Sequence, residues 1–316
     1  QRCVVPKTSN KSPWAPNTLA PERNPATCSA GAPMAQDSSA TAPRSTAENP
    51  YAFAGRDVDR RQRVRLAVLP VVAILVIVGL ATRDAIPQPL DYHAFADSRR
   101  VLGIANVGNV LSNVPFLLIG IRGIAVARRM SREDERGAWM GLFLGVTLTS
   151  FGSSWYHLAP SNDSLLWDRL PMTLGFTALF AGIVGERVST KAYRVLLAPS
   201  VVVGAASVLY WYATEQSGHG DLRPYIFVQF FPLLAIPVLL ALFPAKYSHG
   251  RYFIFALASY VAAKGLESAD ASIFRLTAGI VSGHTLKHLA AAGGCAFLVS
   301  MCANRTRLTP ARAPSH

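Results

Sequence analysis

The chain has 316 residues, 51% of them hydrophobic and 16% charged, with a formal net charge of +13 and a mean hydropathy of +0.27. So apolar a composition excludes an ordinary soluble domain and points to an integral membrane protein. The basic excess does not mark a nucleic-acid partner, because the Lys and Arg residues flank apolar runs instead of gathering on a soluble surface between polar readers.

Residues 1–55 are rich in Pro, Ser, Ala, Thr and Asn without apolar periodicity, so they cannot bury enough surface to offset chain entropy and are expected to be a disordered tail. No charged n-region followed by an apolar core occurs there, so no signal peptide is read. The sequence begins at Gln1, and Met34 offers an initiator. From Val64 onward the hydrophobicity predicts eight spans, near 64–82, 104–127, 138–157, 165–185, 194–213, 223–243, 252–268 and 280–303, each close to the ~20 residues that cross a bilayer core. Together they predict an all-α integral membrane protein packed as one bundle. Cys3, Cys28, Cys295 and Cys302 form no CxxC, and the last two fall in an apolar helix, which reads as packing without a redox or zinc role.

Basic residues mark alternate loops. Arg56, Arg60, Arg61 and Arg63 precede the first span, Arg128, Arg129, Arg132 and Arg136 follow the second, and Arg187 with Lys191, Lys246 with Arg251, and Arg305 with Arg307 continue the series. The intervening loops HLAPSND, TEQSGHGD and SADAS carry no Lys or Arg, so both termini are expected in the cytoplasm. The loop at 83–103, with Arg83, Arg99 and Arg100, fits this scheme least well. The absence of a transit signature and the compact loops point to a bacterial inner membrane.

His284 and His288 lie four residues apart in the last span (SGHTLKHLAAAGG), so a helix projects both imidazoles from one face. Ser153 and His157 share a face in the same way at the end of the third span (FGSSWYHLAP), and Asp168 follows eleven residues later in the fourth (SLLWDRLPMT). A short outer loop makes those two helices antiparallel neighbours, and the last helix starts at the same level. Three imidazoles leave a fourth tetrahedral position for water on Zn²⁺, the arrangement of a catalytic site. Zinc lowers the pKa of its water toward ~7 and polarises a carbonyl, the chemistry of amide or ester hydrolysis. HTLKH lacks the internal Glu of a protease-type HExxH, so the base must come from elsewhere, and Asp168 is the nearest candidate; Ser153 can donate to a developing oxyanion. Plainer readings remain at this point: Ser153 as a helix-packing residue, His157 as an interfacial one, and Asp168 as a cap or as the partner of Arg169.

The pattern SxxxH, Asp eleven residues after that His, and HxxxH in the last span resembles the alkaline ceramidase family, part of a superfamily of membrane hydrolases that includes the adiponectin/progestin receptors; SNVPFLLIG at 112–120 resembles its first core helix. The resemblance covers 91–303. It implies a seven-helix membrane domain, so that 56–90 becomes an added N-terminal transmembrane helix and loop, and 304–316 a cytoplasmic tail. It further implies that His157, His284 and His288 ligate zinc, that Asp168 is the general base, and that Ser153 stabilises the oxyanion. A calcium site precedes the first core helix in animal and fungal members, and Asp91, Asp97 and Asn106 stand in loosely similar places. The expected function is a zinc-dependent hydrolase cleaving the amide of a ceramide-like lipid near the outer face. The alternatives are a lipid esterase of the same superfamily acting on another acyl lipid, and a non-catalytic receptor-like protein with structural zinc. No protein partner is expected. Lys264 and Glu267, i and i+3, are expected to pair within the membrane, Lys287 to reach a headgroup or another helix, His219 and His249 to be solvated in loops, and His93 is a residue positioned to cover the site.

Overall fold

The structure is a computed structural model that describes residues 50–131 and 135–308. Most of the expected tail, with Cys3, Cys28 and Met34, lies outside the described residues, as do Arg132 and the end of the C-terminal tail. The described chain is helical without a strand, the only extended pairings being two isolated bridges. In order, the helices are α1 (Pro50–Ala81), a 3-10 turn (Leu90–His93), α2 (Val107–Leu111), α3 (Val114–Arg128), α4 (Arg136–Leu158), α5 (Asn162–Arg187), α6 (Thr190–Gln216), α7 (Arg223–Leu242), α8 (Arg251–Ser268), α9 (Asp270–Leu276) and α10 (Gly283–Asn304).

Five stretches are long and apolar enough to cross a membrane: Arg60–Ala81, Val107–Arg128, Thr190–Gln216, Arg223–Leu242 and Gly283–Asn304. These mark a multi-pass membrane protein. Three of the eight expected spans fall short on composition, not on length, since α4, α5 and α8 have 23, 26 and 18 residues. Each carries polar or charged groups turned into the bundle: Ser153 and His157 on α4, Asp168 and Arg169 on α5, Lys264 and Glu267 on α8. Hydrophobicity alone under-reads a helix whose inner face serves a site.

Three departures from the expected elements have local causes. The first helix begins at Pro50, inside the stretch expected to be tail. The second span breaks after Leu111, because the Ser112 hydroxyl and the Asn113 amide both turn back to the Asn109 carbonyl, at 2.9 Å each, while Pro115 opens the next helix without an N–H to place. The loop before the last span contains the short helix α9.

Packing follows the order of the bundle. α4 lies between α3 and α5, α5 also contacts α6 and α7, and α10 rests on α8 and α3. A core of Trp139, Leu142, Phe143, Ile183, Leu239, Leu298 and Met301 fills one half, and a second cluster of Tyr156, Leu165, Val208, Trp211 and Tyr225 sits towards the other end. α1 packs on α7 and leaves Val71, Ile74, Leu75 and Val78 exposed, a face suited to lipid. The end near Glu135 is closed by buried ion pairs, Lys246 to Glu135 at 2.9 Å and Arg305 to Glu186 at 3.3 Å. Each burial of charge is matched by a partner, which is what makes it tolerable.

Candidate metal centre

His157 is the penultimate residue of α4, and Asp168 lies in the second turn of α5. The connection between them is three residues long and ends in a capping box, in which Ser161 and Ser164 satisfy each other's backbone N–H groups. A tight turn of this kind forces α4 and α5 to run antiparallel in contact. Their backbones come closest at Gly152, where any Cβ would run into the Trp167 carbonyl. Ser153 and Asp168 flank that contact, and both line the same cavity.

The opposite wall comes from α10. Ser282 caps it by accepting from Thr285 N at 3.1 Å. Asp270 Oδ1 accepts from the His284 N–H at 2.8 Å, while Oδ2 accepts from Ala96 N at 2.9 Å, tying the loop after the 3-10 turn to the start of α10. A second close approach, Gly283 against the Leu266 carbonyl and Asp270, seats this helix on the α8–α9 corner. His284 and His288 then face His157.

The three histidines converge: one ring nitrogen from each lies within 4.8 Å of the others, and all three residues are buried. Three observations test whether this donor set fits a metal. His288 Nδ1 is 2.7 Å from Ser112 Oγ, whose proton goes to the Asn109 carbonyl, so Nδ1–H donates and Nε2 keeps its lone pair. The Lys287 ammonium approaches His284 Nε2 at 3.3 Å, which makes that nitrogen an acceptor as well. His157 Nδ1 is buried without a hydrogen-bond partner among the described residues. A His288 tautomer that leaves Nε2 free and a His157 nitrogen left over suit zinc with room for a fourth ligand, while the His284 lone pair reaches a metal by giving up its contact with Lys287. The ring of Phe95 covers the cluster, with centroids 4.7 Å from His157 and 4.6 Å from His284.

Ser153, Asp168 and His288 line one cavity of about 380 Å³. Its polar end also carries Arg169, Lys264, Glu267 and Lys287; its deep end is apolar, formed by Leu142, Ile183, Phe253 and Leu298. A family model described as Ceramidase matches residues 101–303, a span that contains all five of the expected site residues. The chain belongs to the ceramidase family. No curated protein and no solved structure matches it. Membership of the ceramidases implies a hydrolase acting on amide bonds, with a lipid such as ceramide as substrate.

The remaining sequence expectations fall as follows. Lys264 pairs with Glu267, and Lys287 reaches the same carboxylate at 2.5 Å, so it points to α8. Asp168 makes no ion pair with Arg169, whose guanidinium turns to Gln88 and aromatic rings. His93 does not reach the histidine cluster; it is bonded to Tyr156 Oη at 2.9 Å and Asn162 Oδ1 at 3.1 Å, and so pins the segment from which Phe95 projects. His219 is exposed, and His249 bonds its neighbour Ser248 at 2.7 Å. Of the three residues considered for calcium, Asp97 is spent on the Arg99 guanidinium at 2.7 Å, Asn106 donates to the His157 carbonyl at 2.8 Å, and Asp91 is exposed in the 3-10 turn. Those engagements give calcium no support. Sequence reasoning missed Ser112 and Phe95. A signal for the first existed: Asn109, Ser112 and Asn113 stand at i, i+3 and i+4 and form a polar face in an otherwise apolar span.

Proposed function

We propose that the protein is a membrane-embedded, zinc-dependent amidase that cleaves a ceramide-like lipid, with His157, His284 and His288 as the metal ligands. The observation that carries this reading is the convergence of three buried imidazoles within 4.8 Å of one another, one of which, His288, lines the polar end of a lipid-sized cavity. When bound, zinc supplies a position for water, lowers the pKa of that water toward ~7 and polarises a carbonyl oxygen.

The chain's own residues do the rest. Asp168 takes a proton from the attacking water and returns it to the leaving amine nitrogen, the two-way role of a single general base and acid. Ser153 donates a hydrogen bond to the amide oxygen as negative charge develops on it. Phe95 shields the cluster from bulk water. The apolar depth of the cavity takes the acyl chain: Asp168 and Ile183 both line it, and at ~1.5 Å per residue they are separated by ~22 Å along α5, more than half of the ~30 Å hydrocarbon core. α7 and α8 both line the cavity without packing along one another, and Gln229 Nε2 donates to Tyr260 Oη across the gap at 3.1 Å. A lipid enters from the bilayer between them. Eight helices cross the membrane in this reading, α1 being additional to the seven of the catalytic domain. Both termini are then cytoplasmic, and the site lies near the outer face of a bacterial inner membrane.

Zinc content tests the ligand assignment. Detergent-purified protein is expected to hold about one zinc per chain, and His284→Ala to lose both metal and ceramide hydrolysis; stoichiometric zinc in His284→Ala overturns the assignment.

A further inference from the structure

Arg169 is an unusual arginine. It is buried, at 5% exposure, and no carboxylate comes within ion-pair distance of it among the described residues. Its guanidinium is stacked over Trp211 at 4.2 Å and Tyr225 at 4.7 Å, with Tyr92 at 5.6 Å. One edge is occupied, NH2 donating to Gln88 Oε1 at 2.6 Å. The other edge, NH1, is buried and has no hydrogen-bond partner among the described residues, although the residue lines the cavity. Aromatic faces stabilise the cation but cannot accept its in-plane N–H bonds. A guanidinium does not shed its charge on burial, so an unpaired one calls for an anion, and its fork matches the oxygens of a carboxylate or phosphate.

The rest of the polar end agrees in sign. Arg169, Lys264 and Lys287 face only Asp168 and Glu267, which leaves one positive charge in excess before any metal is counted. Glu267 is shared by both lysines.

Position along the cavity fixes which half of a substrate meets Arg169. The acyl chain fills the apolar depth, and the scissile carbonyl sits at the level of Ser153, Asp168 and His288. Adjacent residues on a helix project ~100° apart, so Arg169 lines a different wall from Asp168, on the side of α6 and α7. Tyr92 and Leu222 from the connecting segments complete that side of the rim. A group bound there lies on the amine side of the amide.

We propose that Arg169 is the specificity-determining residue of an oxyanion subsite, and that the preferred substrate is an N-acyl lipid whose amine half carries a phosphate or carboxylate close to the amide. The inference rests on the amidase reading and deepens it: neutral ceramide would be cleaved, but less well than an anionic relative.

The test uses the full-length, zinc-loaded protein in detergent and three substrates with one acyl chain: N-palmitoyl-sphingosine, its 1-phosphate, and N-palmitoyl-serine. Wild type is expected to prefer at least one anionic substrate by about tenfold or more in kcat/KM, and which of the two separates a phosphate from a carboxylate source. Arg169→Gln is expected to lower the anionic-to-neutral ratio by about tenfold or more, mainly through KM, and Arg169→Lys to restore part of it, since charge returns without the fork. Thermal stabilisation by sphingosine 1-phosphate relative to sphingosine, read without turnover, should be present in wild type and lost in Arg169→Gln. Arg169→Lys carries the same comparison if Arg169→Gln does not fold. A wild-type preference for the neutral lipid, or an equal loss on all three substrates, overturns the proposal. Selective stabilisation by sphingosine 1-phosphate without cleavage of any substrate would uphold the subsite and overturn the amidase reading instead.

Discussion

Ser112 Oγ and His288 Nδ1 lie 2.7 Å apart, and this contact decides which nitrogen of His288 is offered to the histidine cluster. The hydroxyl proton is committed to the Asn109 carbonyl at 2.9 Å, so the serine oxygen accepts from Nδ1–H and the Nε2 lone pair is left free. A polar residue at a helix break thus orients a candidate ligand on α10. Ser112→Ala should weaken zinc binding by about 10–100-fold, the usual cost of removing a partner behind a ligating imidazole. Competition with a chelator of known affinity measures it; unchanged affinity would show that the tautomer is held by something else.

Phe95 meets His157 and His284 edge-on, from a loop and not from a helix. Removing its ring in Phe95→Ala should open the cluster to water and speed zinc loss to a chelator several-fold, with a smaller effect on the fold because the residue is only half-buried. Equal rates of zinc release from the two proteins would deny it a shielding role.

Much of this site can be read along the chain, and the part that cannot has a physical reason. His284 and His288 share a face because four residues close about one helical turn, and Asp168 comes level with Ser153 because a three-residue turn joins α4 to α5; both are local rules. Phe95, Ser112 and Asp270 act through contacts across long stretches of sequence, such as the 176 residues between Ser112 and His288. No spacing encodes those. Hydrophobicity misled in one direction: α4, α5 and α8 carry enough polar and charged residues to fall below the apolarity of the other spans.

Gly152 allows α4 and α5 to touch beside Ser153 and Asp168. Gly152→Val should force them apart and destabilise the protein by ~1–3 kcal/mol, the range for overpacking, while lowering turnover. Gly293 on α10 has open space around its Cβ position, so Gly293→Ala should be neutral or stabilising by up to ~1 kcal/mol from helix propensity. Thermal unfolding of the pair separates steric contact from a general intolerance of substitution.

The loop before α2 is held by Asp97, which is fully buried and accepts both arms of the Arg99 fork, while Arg99 also donates to the Ile280 carbonyl at 2.9 Å. That guanidinium keeps the Asp97 carboxyl below the usual carboxylate range. A pKa lower in the folded than in the unfolded chain, where Asp titrates near ~3.9, gives stability that is complete above that value and is lost as pH falls through the folded one. Hydrogen exchange over 94–106 should therefore stay slow at neutral pH and accelerate in acid below about pH 4. In Asp97→Asn it should be fast throughout, with the acid step gone; an acid step that survives in Asp97→Asn would place its origin elsewhere.

The central claim is that Asp168 moves the protons of an amide hydrolysis at a metal held by His157, His284 and His288. Release of fatty acid from ceramide by zinc-loaded Asp168→Asn, beside wild type at equal zinc content, tests it most directly. The account predicts that wild type turns over and that Asp168→Asn retains its zinc yet loses at least about 10²-fold in kcat, the usual scale for general acid–base catalysis. Full activity in Asp168→Asn would contradict it.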